Sequence, residues 1–362
     1  MQILKSTPKQ DGFYMPGEFE PHVGCWILWP ERKDTWRLNA KPAQKVFAEV
    51  AITISKFEQV TVGVVNKEYL NARKMLPGNI RVVEISYNDA WVRDNGPLFI
   101  KNNRGEKRGV VWNFNAWGGI DSGLYYPWDQ DSLVAEKILS IEKIDYYKPG
   151  IILEGGSIHV DGEGTLITTE ECLLNKNRNP DLSKDEIEEI LCEYLNIEKI
   201  IWLKRGVYND ETDGHVDNLC CFIKPGIILL TWTDDKNDPQ YEISLNAFER
   251  LSRETDAKGR KFEIHKILQP KPLYLSKEEA SGLTIGETSK LRLPGDRLSA
   301  SYINFYISNK GIIMPKFNDH YDNLAKRKLK ELLPDYKIYQ IYTREILLGG
   351  GNIHCIVQQI PF

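Results

Sequence analysis

The sequence predicts an α/β fold arranged as a closed, propeller-like ring of five similar units. Three observations predict it: four hairpin-like segments, two strands at the chain ends that lack local partners, and an internally repeated motif. The hairpins are GPLFIKNNRGEKRGVVWNF (96–114), GSIHVDGEGTLITTE (156–170), HVDNLCCFIKPGIILLTW (215–232) and SYINFYISNKGIIMPKF (301–317). Each runs from an apolar strand through a turn containing Gly with Asn, Asp, Lys or Pro into a second apolar strand. The early strand VGCWILW (23–29) has no strand before it, and NIHCIVQQI (352–360) has none after it. Pairing these two makes a fifth hairpin and joins the first strand to the last. Residues 153–160 read LEGGSIHV and residues 348–355 read LGGGNIHC, so the motif aligns Cys355 with Val160. Five units in this length imply a spacing of roughly 70 residues, in the range of repeat folds that close on themselves.

Helical periodicity is confined to four stretches, roughly 41–57, 129–142, 184–195 and 320–333. The third is the best defined. Ser183 is a suitable N-cap, Glu186 stands at the capping-box position, and Ile187, Ile190, Leu191, Tyr194 and Leu195 recur at helical spacing. No low-complexity linker divides the chain, which reads as one unit over 1–362.

Composition narrows the function classes. With 41% hydrophobic and 27% charged residues the chain is an ordinary globular one, and a net charge of -4 argues against a nucleic-acid binder. A faintly acidic balance is compatible with a small cationic substrate. The N-terminus lacks the basic-then-apolar pattern of a signal peptide, and no uncharged apolar stretch nears the roughly 18 residues of a membrane span. Cysteines at 25, 172, 192, 220, 221 and 355 follow neither zinc-ligand nor disulfide spacing, which suits a reducing cytosol and thiols buried as small apolar groups.

Reactive residues gather beside glycine in five short segments: WVRDNGP (91–97), NAWGG (115–119), LEGG (153–156), ETDGHVD (211–217) and GGGNIHC (349–355). Most of them open a hairpin, and equivalent strand ends in a propeller converge on one axis. Cys355 supplies a soft nucleophile. A free thiol titrates near 8.5, so it needs a neighbouring cation to ionise at neutral pH, either a protonated His215 or a cationic substrate. Asp94, Asp217 and Glu154 supply carboxylates, and a guanidinium is the planar cation that two carboxylates grip in bidentate fashion. On a strand, His215 and Asp217 would share a face, because the side-chain period is two. Each feature is weak alone. A late cysteine is more often a buried structural thiol, His159 and His354 suit satisfied strand histidines, and Gly-Gly runs usually mark turns or bulges.

Together these segments resemble the agmatine deiminases, relatives of the bacterial peptidylarginine deiminases. The resemblance covers nearly the whole chain: GFYMPGEFEPHVGCWILWP, DAWVRDNGP, WNFNAWGG, LEGGSIHVDGEGT, NKNRNP, ETDGHVDN and LGGGNIHCIVQQIP, in that order. It implies the pentein fold, a five-bladed α/β propeller of pseudo-fivefold ββαβ repeats. It implies that Cys355 attacks the guanidinium carbon, that His215 is the acid/base, that Glu154 orients and charges His215, and that Asp94 and Asp217 hold the guanidinium nitrogens. Trp91 is expected to line the channel against the substrate's alkyl chain, and Glu211 or Asp213 to meet its far amine. Trp117 and Gly350 are counted with the substrate-binding residues. Position 95, often Thr in that family, is Asn95 here and adjoins a key carboxylate without altering the reaction class.

The reaction so implied is hydrolysis of agmatine to N-carbamoylputrescine and ammonia through a covalent S-alkylthiouronium on Cys355, with no metal or organic cofactor. A cytoplasmic homodimer or homotetramer is implied with it. The alternatives are a deiminase of arginine, peptidylarginine or methylated arginine, an amidinotransferase, or a propeller that binds polyamines without chemistry. Gly118-Gly119 and the stretch around 286–300 are candidate lids.

Overall fold

The computed structural model describes residues 1–362 with the exception of 285 and 287. Its β structure is five mixed sheets and one two-stranded ribbon, Leu273–Tyr274 with Arg297–Leu298. Four sheets repeat one order: an antiparallel hairpin, then helix, then a strand parallel to the hairpin's second strand. They are Leu98–Lys101, Lys107–Val110 and Tyr146–Tyr147; Ile158–Val160, Thr165–Thr169 and Lys199–Leu203; Cys220–Lys224, Ile227–Trp232 and Glu263–Leu268; and Tyr306–Ser308, Gly311–Lys316 and Lys337–Tyr342. The four expected hairpins all form. In the fifth sheet the last strand, Gln358–Pro361, lies antiparallel to the first, His22–Leu28, with Gly24 opposite Ile360 and Trp26 opposite Gln358. Gln59–Val64 and Arg81–Glu84 extend that sheet in parallel. The pairing of the chain ends is as the unpartnered strands suggested.

Turn chemistry sets the hairpins. In the second, Asp161 Oδ1 accepts from the backbone N–H of Glu163 and of Thr165, both at 2.8 Å. Gly162 and Gly164 take φ of +74° and +101°, which side-chain-bearing residues rarely adopt.

Helices cover the sheets. Lys184–Leu195 has the capping box read from sequence, and it buries Ile187, Leu191 and Leu195 against Ile158, Leu166 and Tyr147 of two sheets. Lys41–Ile54, Val134–Glu142 and Asp322–Leu332 fall inside the other expected stretches. Sequence periodicity missed Pro239–Arg253, capped by Asp238 with Pro239 in its first turn. Its buried face mixes Ile243, Ala247 and Leu251 with Gln240 and Ser244, which satisfy each other at 3.0 Å. Two polar residues in a five-residue stripe erase the apolar period. Among the described residues, no helix is long and apolar enough to cross a membrane.

Candidate active site

In each of the five sheets the chain bends just before the strand that begins the hairpin. Four of these bends are single helical turns: Val92–Asn95, Gly155–Ser157, Val216–Asn218 and His354–Ile356. They carry Asp94, the Glu154 that precedes the second turn, the His215 and Asp217 of the third, and Cys355. At the fifth bend, Asn304 stands two residues before Tyr306–Ser308. The bends bring these residues into one enclosed cluster: Glu154, His215, Asp217, Asp94 and Cys355 are 0, 1, 2, 6 and 7% exposed, so charges there act with little screening by water.

This placement corrects two readings. Cys355 is not on a strand, since the strand begins only at Gln358, and it does not occupy the place of Val160. Residues 158–160 are strand paired with 166–168, whereas the matching residues 353–355 are held in a turn, where Asn304 Oδ1 accepts from the His354 N–H at 3.0 Å. Nor are His215 and Asp217 on a strand; His215 precedes and Asp217 lies within the 3-10 turn Val216–Asn218, and both side chains reach the Gly156 backbone.

Gly156 floors the cluster. A Cβ there would stand 2.6 Å from His215 Nδ1 and 3.0 Å from both Asp217 Oδ2 and Asp94 Oδ1, so only glycine leaves room for these groups to converge. Asp94 is fixed by two donors, the Gly156 N–H to Oδ1 at 2.9 Å and Trp117 Nε1–H to Oδ2 at 3.0 Å. Glu154 Oε1 takes Arg178 Nε–H at 2.7 Å, and its Oε2 lies 3.6 Å from His215 Nε2. His215 Nδ1 is 3.9 Å from Asp94 Oδ2. Asp217 Oδ2 lies 3.6 Å from Cys355 Sγ, while Asp217 Oδ1 has no partner among the described residues and remains an acceptor.

Protonation follows from these neighbours. Burial opposes charge on His215, but Asp94, Cys172 and Glu154 outweigh it and hold the imidazolium well above its ordinary range. Burial pushes the Cys355 thiol well up, and Asp217 and Asp94 push it further; the Asn352 N–H and the Asn304 amide, 3.4 and 3.3 Å from Sγ, favour the thiolate. Burial likewise raises Asp94, with Asp217 and Glu154 adding to it against the pull of His215. Glu154 stays low despite burial because the Arg178 guanidinium and His215 adjoin it.

The other expected residues lie around this cluster. Trp91 stacks on Trp36 at 5.0 Å and closes over Gly351, where a Cβ would meet the Trp91 ring at 2.5 Å and Cys355 Cβ at 3.1 Å. Glu211 and Gly350 line a cavity of about 190 Å³, in which Arg292 holds Glu211 at 2.7 Å. Asp213 points elsewhere, into Arg178 at 3.0 Å and Asn177 at 2.8 Å. Asn95 gives its amide to the Asp89 carbonyl, away from the cluster. Of the candidate lids, Gly118 and Gly119 lie at a short helical turn, Gly119–Ser122. Glu287, in the second stretch, lies outside the described residues; Thr288 of that stretch bonds Tyr126 through both its carbonyl and its hydroxyl.

Sequence reasoning missed Arg178 and Asn304. Arg178 is fully buried and ties Glu154 to the carbonyls of Trp117 and Thr212 at 2.9 Å each. It lies in the NKNRNP segment, whose dense hydrogen-bonding residues were the available signal. Asn304 could have been found by position, since every other hairpin is preceded by a reactive residue.

Among the described residues, two buried groups have ligand-type side chains close together, Glu18 with His159 and His354, and Glu154 with Cys172 and His215. Each adjoins a guanidinium, Arg93 on Glu18 at 2.9 Å and Arg178 on Glu154 at 2.7 Å. A cation already holds the carboxylate in both, so neither donor set suits a metal ion.

A buried thiol beside one of two carboxylates that converge with a histidine has the make-up of a site for nucleophilic chemistry on a planar cation. The chain matches the model of the Porphyromonas-type peptidyl-arginine deiminase family over residues 14–361 and belongs to that family. The agmatine deiminase of Pseudomonas fluorescens is 56% identical to it, across 100% of this chain and 99% of its own. Among solved structures, the agmatine deiminase of Enterococcus faecalis matches with a TM-score of 0.96 at 50% identity, covering 99% of both chains. A cysteine-to-serine agmatine deiminase of C. jejuni with substrate bound matches with a TM-score of 0.83 at 28% identity, covering 96% of both.

Proposed function

We propose that this protein hydrolyses the guanidino group of agmatine, giving N-carbamoylputrescine and ammonia through a covalent intermediate on Cys355. The observation that carries the reading is the convergence of Asp94, Asp217 and His215 over Gly156, with Cys355 beside Asp217 and Glu154 beside His215. The relatives named agmatine deiminase support the choice of substrate.

Asp94 and Asp217 hold the guanidinium plane so that its carbon faces Sγ, which turns a bimolecular attack into a local one. Sequence left open whether His215 or the substrate supplies the cation that ionises the thiol. With His215 already charged, Cys355 is still held as a thiol by two carboxylates. The substrate guanidinium, held between them, offsets their field, so thiolate formation is coupled to binding and the thiol proton leaves to solvent. The thiolate adds to the carbon, His215 gives its proton to the departing nitrogen, and ammonia leaves the thiouronium. Neutral His215 then takes a proton from water, the hydroxide adds to the carbon, and the C–S bond breaks as the hydroxyl proton passes to the departing sulfur, giving the urea and the Cys355 thiol.

The rivals are deiminases of arginine or peptidylarginine. A clamp for an α-carboxylate is not evident in the two arginines near the motifs. Arg93 is buried on Glu18, and Arg205 is half-exposed beside Glu171. On the cavity, Arg292 is itself held by Glu211; Glu211 lines that cavity whereas Asp213 turns to Arg178, so Glu211 is the better placed of the two acids for the far amine. Ammonia release from agmatine, arginine and a peptidylarginine in parallel separates these readings, and added acceptor amines expose amidino transfer.

Cys355→Ser should lose turnover by at least about a thousandfold while still binding agmatine. Acid-quenched wild-type enzyme should carry an adduct on Cys355 by mass spectrometry. Near-normal turnover by the serine variant would sink the assignment. We also read the five sheets as blades of a ring sealed by the paired chain ends, and the assembly as a homodimer or homotetramer; sedimentation equilibrium tests the latter.

A further inference from the structure

Behind Asp217 runs a chain of buried charges that the reaction above does not use. Asp217 Oδ2 lies 2.9 Å from His354 Nδ1, and His354 Nε2 lies 2.8 Å from Glu18 Oε1. Glu18 Oε1 also takes Arg93 Nη1–H at 2.9 Å, and Arg93 Nε–H donates to the His354 carbonyl at 3.3 Å. Two further titratable groups lie by Glu18: His159, with Nε2 at 3.6 Å and its ring 6.2 Å from that of His354, and Cys221, whose thiol is held well up by burial. All of these side chains are buried.

The hydrogen bonds assign the protons. Carboxylates only accept, so both ring nitrogens of His354, each against a carboxylate, must donate, and His354 is an imidazolium. His159 differs. The Phe222 backbone N–H donates to its Nδ1 at 3.3 Å, so that nitrogen carries the lone pair and the ring is neutral. The row therefore alternates Asp217⁻, His354⁺, Glu18⁻, Arg93⁺ and closes on itself without net charge, which is what lets four charges remain buried.

We propose that His354 is a positioning residue for the guanidinium-holding carboxylate: with Glu18 and Arg93 behind it, it locks Asp217 Oδ2 and leaves Oδ1 directed to the substrate. The inference rests on the functional reading above and deepens it. The oxygen His354 grips is the one beside the thiol, so the lock also sets the distance from Asp217 to Cys355, 3.6 Å. The His354 imidazolium keeps Asp217 ionised against its burial. Losing it leaves a carboxylate that protonates more readily and can turn away from the substrate.

Glutamine and asparagine divide the histidine. A Gln side chain reaches as Nε2 does, towards Glu18, and an Asn side chain donates where Nδ1 does, towards Asp217. H354Q should raise KM for agmatine tenfold or more with a smaller fall in kcat, and should move the acid limb of kcat/KM to higher pH, since Asp217 then protonates at higher pH. H354N should stay nearer wild type in KM. Guanidinium chloride titrated calorimetrically into C355S and C355S/H354Q reads the carboxylate pair whichever guanidino compound is turned over; the double variant should bind at least tenfold more weakly. If wild type releases no ammonia from agmatine but the guanidinium result holds, the substrate reading fails and the positioning role stands. Unchanged KM, acid limb and guanidinium affinity in H354Q would overturn the role, as would C355S that does not bind guanidinium. Should H354Q not fold, E18Q carries the same test, with the same outcomes in KM and acid limb.

Discussion

Trp117 shows how a residue can serve the site without facing the reacting carbon. Its indole N–H is one of two donors on Asp94, and it reaches that position because Phe114, Tyr125 and Trp91 pack edge-on around its ring. Burial already raises the Asp94 carboxyl, so each donor to the charged form matters. Trp117→Phe keeps the ring and removes the donor. A hydrogen bond to a charged group contributes about 1.5–3 kcal/mol, which corresponds to a loss in kcat/KM of roughly 10- to 150-fold. The sign of the pH effect is fixed. Protonated Asp94 cannot hold a cation, activity falls as pH drops through its pKa, and losing a donor raises that pKa. The acid limb of kcat/KM should therefore move to higher pH. A variant with near-normal kcat/KM and an unmoved limb would show that the Gly156 N–H suffices.

Elements were legible where local chemistry decides them. Four hairpins could be read because alternation and turn residues act within about 20 residues, and Lys184–Leu195 because Ser183 and Glu186 state its start. That cap gives a prediction. Ser183 Oγ accepts from the Glu186 N–H on the exposed side of the molecule, so Ser183→Ala should cost about 1 kcal/mol in urea unfolding and leave kcat unchanged. A loss below a few tenths of a kcal/mol would mean that packing of Ile187, Leu191 and Leu195 alone sets the helix. What was not legible depends on distant parts of the chain. Ile-His-Val at 158–160 is strand and Ile-His-Cys at 353–355 is turn, and the difference is made by Asn304, about fifty residues from the second copy. The same convergence hid Arg178, whose partners at 117, 154, 212 and 213 come from three segments. The five residues that the structure gathers around Gly156 could be proposed from sequence, but the backbone that aims them could not.

At the scale of the molecule, the chain ends complete one sheet, and Cys355, the proposed nucleophile, sits beside that seam. Gln358–Pro361 pairs with His22–Leu28, contacts Leu98–Lys101, and starts three residues after Cys355. The Phe362 N–H donates to the Pro21 carbonyl at 2.8 Å, but its ring is 69% exposed. Removing 357–362 strips away buried Val357 and Ile360, each contributing about 1.5–3 kcal/mol, and exposes the first strand's edge, where each lost backbone bond adds about 1 kcal/mol. Those losses approach the 5–15 kcal/mol that typically separates folded from unfolded domains. Removing Phe362 alone forfeits one backbone bond and little burial. The longer truncation should therefore lose the cooperative urea transition seen by tryptophan fluorescence, together with ammonia release, while the single-residue deletion keeps both. Were the longer truncation to unfold in one transition near the native midpoint, the end-to-end pairing would be dispensable. Were it to fold so and still lose activity, the strand would matter only for aiming Cys355, and the seam would belong to the site rather than to the fold.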